Sequence, residues 1–348
     1  MAAYTTIDDP NLYYHTDIYT GNGSGAREIT DLPFSPDMSW FKNRDATDSH
    51  HVFDQVRGAK LHIKSDATNV EEQDDNSLYA WLTNGYYVAS SDSVNANTEK
   101  IVVWNWKAGG SGSSNSNGSI TSSVSASTDS GFSIVSYTGT GANATVGHGL
   151  GAVPTVIIQK NRDAVQPWWV YHSSIGAGGQ LRLNEPDAAG SDGGVLWNST
   201  APTSTLFSVG DNDGANGDDD KCIAYCFVEK QGYSKFGSFV GNGNDGNNTF
   251  VYTGFKPAFL MIKNKSSGST NWIISDKERP GYNPENRNVL RANLNAAEIT
   301  SSSRTADFLS NGFKCRGLSV GADGDSYVYM AFAESPLVNS EGAPNNAE

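Results

Sequence analysis

One register recurs three times along this chain. An aromatic-x-Gly-x-Gly motif stands at Tyr19-Thr20-Gly21-Asn22-Gly23, at Tyr137-Thr138-Gly139-Thr140-Gly141 and at Phe239-Val240-Gly241-Asn242-Gly243. A Lys-Asn pair follows each, Lys42-Asn43, Lys160-Asn161 and Lys263-Asn264, 23, 23 and 24 residues beyond the aromatic. A proline lies six residues before every one of these lysines: Pro36, Pro154 and Pro257. Self-similarity at a fixed period means several copies of one supersecondary unit, so the chain is confined to a repeat architecture.

Each copy reads as a set of short strands. Between proline and lysine runs an apolar segment (Met38-Ser39-Trp40-Phe41, Thr155-Val156-Ile157-Ile158, Ala258-Phe259-Leu260-Met261-Ile262), rich in β-branched and aromatic residues and bounded by turn formers. Further strands are expected at His51–Asp54, Trp168–Tyr171 and Trp272–Ser275, then around Leu61, Leu181 and Leu290. Each copy closes on an apolar strand ending at Trp106, Phe227 or Phe332. The spacing predicts an all-β chain of three tandem β-sandwich modules, jelly-roll or lectin-like, over residues 4–107, 132–231 and 232–338. Residues 108–131, dominated by Ser, Gly and Asn, read as a flexible linker, and 339–348 as a frayed tail. A turn or two of helix fits only Glu71 to Leu82.

Composition narrows the function. Only 37% of the 348 residues are hydrophobic, yet 15 Tyr, 14 Phe and 8 Trp supply the large apolar side chains that disordered chains lack. The net charge of −14, with no Lys/Arg run, argues against nucleic acid. No apolar stretch is long enough for a spanning helix, and Met1-Ala-Ala-Tyr-Thr-Thr has no signal-peptide pattern. Neither membrane insertion nor the usual secretory route is therefore expected. Cys222 and Cys226 lie four apart on an expected strand, about 13 Å at ~3.3 Å per residue, too far for a disulfide; all three cysteines are read as thiols.

Candidate chemistry is sparse. Gly241-Asn-Gly243-Asn-Asp-Gly246 satisfies a dinucleotide pattern, but a strand resumes where a helix should open, so all three Gly-x-Gly pairs are expected in hairpin turns. Asp211, Asp213 and Asp218 crowd one Gly-rich loop and make Ca²⁺ the cation to consider, although Asn216 stands where an EF-hand needs Gly. The histidines show no zinc spacing, and His172-Ser173-Ser174 has no matching groups in the other copies, so no catalytic residue is assigned. The Lys-Asn pair is read as a lysine stem lying along the sheet with Asn in the turn beyond it. Trp197, Tyr282 and Trp168 are the aromatics chosen as ligand platforms, the first two because they sit in polar, turn-rich surroundings.

The segments Tyr4-Thr-Thr-Ile-Asp-Asp-Pro10, Lys42-Asn-Arg-Asp-Ala-Thr-Asp-Ser-His50, Lys235-Phe-Gly-Ser-Phe239, Phe250-Val-Tyr-Thr-Gly-Phe-Lys-Pro257 and Tyr327-Val-Tyr-Met-Ala-Phe-Ala-Glu334 resemble a family of virion-associated proteins. That family is encoded by tailed phages of marine cyanobacteria and related aquatic bacteria and labelled tail-fibre or structural. The resemblance runs from residue 4 to the C-terminus and implies a whole, non-enzymatic virion component. It would be made in the host cytoplasm and mounted on the tail or outer particle surface beside other virion proteins. The expected role is attachment to a host-surface glycan or protein, with a purely architectural adaptor or decoration subunit as the alternative and a glycan depolymerase behind both. A homo-oligomer, by preference a trimer, is expected for such a part. The family carries no catalytic or binding residue over to this chain.

Overall fold

The structure, a computed structural model, describes residues 3–279, 283, 287–301 and 305–345. The first copy contains β1 (Tyr14–Thr20), β2 (Arg27–Ile29), β3 (Met38–Asn43), β4 (His51–Asp54), β5 (Leu61–Lys64), β6 (Glu72–Gln73), β7 (Leu78–Leu82), β8 (Gly85–Val88), the single turn α1 (Asp92–Asn95) and β9 (Lys100–Trp106). The second contains β10 (Ser113–Asn115), β11 (Ser122–Ser127), β12 (Phe132–Thr138), β13 (Ala144–Gly147), β14 (Val156–Asn161), β15 (Trp169–His172), β16 (Gly179–Arg182), β17 (Gly190–Ser191), β18 (Leu206–Val209), α2 (Asp213–Asn216) and β19 (Lys221–Phe227). The third contains β20 (Ser234–Val240), β21 (Phe250–Tyr252), β22 (Phe255–Asn264), β23 (Ile273–Asp276), β24 (Arg287–Arg291), β25 (Ile299–Ser301), β26 (Ala306–Leu309), β27 (Gly312–Cys315) and β28 (Ser326–Pro336). The chain is all-β, and among the described residues no helix is long and apolar enough to cross a membrane.

Each copy builds a large antiparallel sheet and a small one. The large sheets run β1-β9-β3-β4-β5-β6, β10-β11-β12-β19-β14-β15-β16-β17 and β20-β28-β22-β23-β24-β25; the small ones are β2-β8-β7, β13-β18 and β21-β27-β26. The closing strand of every copy thus returns to mid-sheet, between the strand carrying the aromatic motif and the strand ending in Lys-Asn. All six residues of β3 and of β14 are buried, the signature of a sheet covered on both faces. One face packs on the copy's own small sheet: Phe41, Phe53, Tyr86 and Val103 in the first copy, Tyr137, Ile157 and Phe207 in the second, Phe239, Phe313 and Tyr329 in the third. The other face of all three sheets joins one common core, with Trp40, Trp104, Ile158, Tyr225, Met261 and Met330 among its members. The three copies are therefore packed around a shared interior.

Three local expectations are corrected. The Gly-x-Gly pairs are not hairpins, because β1 and β2, like β12 and β13 or β20 and β21, lie in different sheets. The motif is a crossing between layers that docks on the loop ahead of the closing strand. A Cβ on Gly21, Gly139 or Gly241 would lie 2.0, 2.2 or 2.3 Å from the carbonyl oxygen of Ala96, Gly217 or Ala322, and the second glycine of each pair has φ of 65, 63 or 68°, the left-handed region glycine enters without strain. Residues 108–131 are not a spacer: β11 pairs with β12, Val124 facing Val135, and β10 pairs with β11, so that the two widen the second large sheet. Their alternation of Ser with Val and Ala supplies a half-buried strand that composition alone hides. Glu71 to Leu82 forms β6 and β7 rather than helix.

Candidate functional site

The most repeated residues serve the fold. Lys42, Lys160 and Lys263 are completely buried, not laid along a surface. Each Nζ donates to main-chain carbonyls: Lys42 to Asn43 (2.5 Å) and Ala46 (3.1 Å), Lys160 to Asn161 (2.5 Å) and Ala164 (3.2 Å), Lys263 to Asn264 (2.7 Å) and across to Pro186 (3.1 Å) of the second copy. Desolvation pushes all three ammoniums down to about 8. The neighbouring asparagines donate Nδ2 to Glu99 (2.5 Å), Asp220 (2.7 Å) and Asp325 (2.7 Å), latching each strand end to the loop before the closing strand.

The copies meet in a closed head-to-tail ring. Equivalent backbone bonds cross each junction: Glu71 N to Arg162 O (2.8 Å), Ala189 N to Lys265 O (2.9 Å) and Glu298 N to Arg44 O (2.7 Å). Indoles cross too, Trp168 Nε1 donating to Lys64 O and Trp272 Nε1 to Arg182 O, both at 2.8 Å. At the junction of the first and second copies, Arg57 clamps Asp54 (2.5 Å) and Glu71 (3.0 Å), Arg162 forks Glu71 (2.9 and 2.7 Å), and Tyr225 Oη donates to Asp54 (2.7 Å). At the junction of the third and first, Arg279 clamps Asp276 (2.6 Å) and Glu298 (2.8 Å), Arg44 reaches Glu298 (2.7 Å), and Trp104 Nε1 donates to Asp276 (2.9 Å). The junction of the second and third copies lacks the clamp: His172, Ile175 and Ala189 stand in place of Asp, Arg and Glu, with Met330 where the others have Tyr225 and Trp104, while Lys265, in the place of Arg44 and Arg162, keeps its charge and donates to Ser174 O (3.1 Å). The buried arginine and its two carboxylates are present together at two junctions and absent together at the third, because breaking up such a set would leave an unpaired buried charge.

The residues singled out from sequence do not form a site. Trp168 and Trp197 are 1% and 2% exposed; Trp168 belongs to the shared core and Trp197 to the second copy's own core. A turn-rich neighbourhood in sequence proved to be a lid over apolar side chains. Tyr282 lies outside the described residues. Asp211, Asp213 and Asp218 are exposed around α2, whose main chain is used locally, Asp213 O accepting from Asn161 (2.8 Å). Among the described residues no group of three or more His, Cys, Asp or Glu is placed to hold a metal ion. The three cysteines are free and buried, and burial pushes Cys222 and Cys315 up to about 12. Ser174 Oγ lies 2.7 Å from His172 Nδ1 at the junction of the second and third copies, and burial pushes that imidazole down to about 4. Ser93 Oγ lies 3.1 Å from His51 Nδ1, and His51 stacks on His62 with ring centres 4.0 Å apart. Burial, reinforced by His62, holds His51 well below its ordinary value, which makes it a weak general base.

The open surface carries a groove that sequence reasoning missed. It measures about 440 Å³ and is lined by Tyr4, Glu229, Gln231, Lys235, Tyr252 and Gly254, among others. Tyr4 Oη donates to Gly254 O (2.9 Å) and sits 3.4 Å from Tyr252 Oη. Lys235 Nζ pairs with Glu229 Oε2 (2.8 Å), whose Oε1 accepts from Phe236 N (2.9 Å). Tyr252 is 54% exposed, and Phe250, two residues earlier on the same edge strand, is 43% exposed. Comparison of the copies supplies the signal. The first small-sheet strand carries Arg27-Glu28-Ile29 in the first copy and Ala144-Thr145-Val146-Gly147 in the second, and aromatics only in the third.

Residues 9–336 match the family model for DUF7483, a domain of unknown function. No curated protein matches the chain.

Proposed function

Starting from the chain's membership of the DUF7483 family, to which it belongs over residues 9–336, we propose that it is a non-enzymatic structural component of a tailed-phage particle that attaches to the host surface. The particle setting rests on the resemblance of its long motifs to virion-associated proteins. The attachment role rests on one observation: a rigid ring of three copies commits the polar residues repeated among them to internal latches and junctions, and leaves an aromatic groove open at one corner. Rigid β scaffolds with variable surface elements suit recognition. In this reading the copies are lectin-like β-sandwiches, supported by the stacking of a large on a small sheet; the jelly-roll form is the finer part of the proposal. The protein resides on the tail or outer surface of the particle, beside other virion proteins, and many copies per particle convert weak single contacts into firm adhesion.

The test is to incubate labelled protein with host cells and with a related non-host strain and to measure cell-bound fluorescence. Saturable binding confined to the host is expected. Absence of binding to either, even after cross-linking into multivalent form, would replace attachment by an adaptor or decoration role.

A further inference from the structure

We propose that the groove between Tyr4, Tyr252 and Lys235 binds a neutral pyranose oligosaccharide, an inference that rests on the attachment reading and names its ligand. Sugars present two chemistries at once, apolar C–H faces and rims of hydroxyls that both donate and accept. The groove offers a partner for each. Tyr252 lines the groove and projects from β21, an edge strand; Phe250 stands outside the lining on the same face of that strand, about 7 Å further along at ~3.4 Å per residue, where it can extend the platform for a longer saccharide. Both rings are exposed without a covering side chain sufficient to bury them. Exposed aromatics with only two side-chain torsions give contact area at small entropic cost.

Along the groove stand fixed polar groups. Glu229 is held by two hydrogen bonds, from Lys235 Nζ and from Phe236 N, so its carboxylate is oriented before a ligand arrives and retains lone pairs for hydroxyl donors. Lys235 Nζ has further donors beyond the one given to Glu229. The Tyr4 and Tyr252 hydroxyls lie 3.4 Å apart and Tyr4 is oriented by Gly254 O, leaving Tyr252 Oη as an acceptor at the mouth. Alternating acceptors and donors beside ring faces fit adjacent hydroxyls on a pyranose.

Charge selects the class of sugar. The lining charges Glu229 and Lys235 form a pair that cancels locally, and the whole chain carries −14, so acidic glycans gain no net attraction and meet a repulsive field. A peptide ligand would favour an apolar anchor pocket, whereas this groove is lined by hydroxyls, an amide and an ion pair. The first and second copies have no counterpart of these aromatics on β2 or β13, so one site per chain is expected.

Saturation-transfer NMR and calorimetry with cellotetraose, maltotetraose, mannotetraose and galactotetraose, against trigalacturonate as the acidic probe, test the proposal alongside host-cell capture. Binding of at least one neutral tetrasaccharide is expected, weakened about tenfold in Tyr252→Ala and more in Tyr252→Ala/Phe250→Ala, with unchanged thermal midpoints because both rings are exposed. Arg27→Ala, on the corresponding strand of the first copy, is expected to bind as the parent does. Retention of full affinity in the double variant would overturn the site, and binding of trigalacturonate alone would overturn the neutral class. Host cells captured by the protein while no oligosaccharide binds would overturn the saccharide ligand but leave attachment standing; loss of both would remove attachment as well.

Discussion

The buried lysines give the fold a pH dependence with a definite sign. Lys42, Lys160 and Lys263 are held down to about 8 by burial, against an ordinary value of 10.5 in the unfolded chain. Between these limits the unfolded state binds more protons than the folded one, so stability rises with pH from about 8 towards 10. Above that window the buried tyrosines, whose folded values are raised by desolvation, reverse the slope. Urea titrations at stepped pH should show this maximum, and Lys160→Met should flatten the rise by roughly one lysine's share. A second expectation concerns the motif glycines. Gly139→Ala places a Cβ 2.2 Å from the Gly217 carbonyl oxygen, whereas Gly25→Ala meets nothing within 4 Å. Thermal unfolding should show a loss of about 2 to 3 kcal/mol for the first and little change for the second. The register of these residues is plain in the amino-acid string, but their reason is not. A buried lysine satisfied by carbonyls and a surface lysine with its stem on a sheet share one sequence, because carbonyl partners belong to every residue type. Trp197 misled for a related reason: polar neighbours in sequence can cover an apolar core in space.

Among the elements, the junctions divide into two solutions of one geometry, with and without a buried Arg–carboxylate clamp. Arg57→Ala would leave the Asp54 carboxylate, with no exposed side-chain surface, without a counter-charge and held only by the Tyr225 hydroxyl and the main-chain N–H of residue 57, and should cost about 3 to 5 kcal/mol in chemical denaturation. Tyr225→Phe removes the hydroxyl's hydrogen bond to Asp54 and the longer one it accepts from Arg57 (3.4 Å), and should cost about 1.5 to 3 kcal/mol. Acid should weaken the same junction. Burial raises the Glu71 carboxyl, but Arg162 and Arg57 outweigh it and hold the group below its ordinary 4.5. Its contribution is complete above the unfolded value and disappears as pH falls through the folded one, so Glu71→Gln should lose less stability on acidification below pH 4.5 than the parent. The strands themselves were legible from proline, apolar run and lysine, since buried strands are continuous apolar segments bounded by turns. Pairing between copies was not legible. It depends on main-chain atoms of Arg162, Lys265 and Arg44 and on residues such as Glu71 that lie in loops without periodicity.

At the level of the whole molecule, a common core predicts common unfolding. Trp40, Tyr225 and Met330 come from three different copies and share one interior, so no copy can lose its packing without exposing the others. Fluorescence and circular dichroism should report one coincident transition, and Trp168→Ala in the second copy should shift all of it rather than split it. The ring also supplies within one chain the threefold arrangement expected of a homotrimer. Light scattering should therefore find a monomer near 37.2 kDa; a trimer would mean a further interface outside the ring. The all-β character and the recurring proline–strand–Lys-Asn register could be read from sequence, whereas closure could not, because tandem copies strung on linkers and copies closed in a ring have the same periodicity. Fusion of three related units into a single gene product changes how such a molecule can evolve. In a true trimer every substitution is made three times, so a change that suits a ligand at one corner is imposed on all three junctions. Here the copies differ independently: two junctions carry a buried Arg–carboxylate clamp, one does not, and an aromatic pair stands on β21 with no counterpart on β2 or β13. Selection can retune that one corner against a changing surface while the other two hold the ring shut.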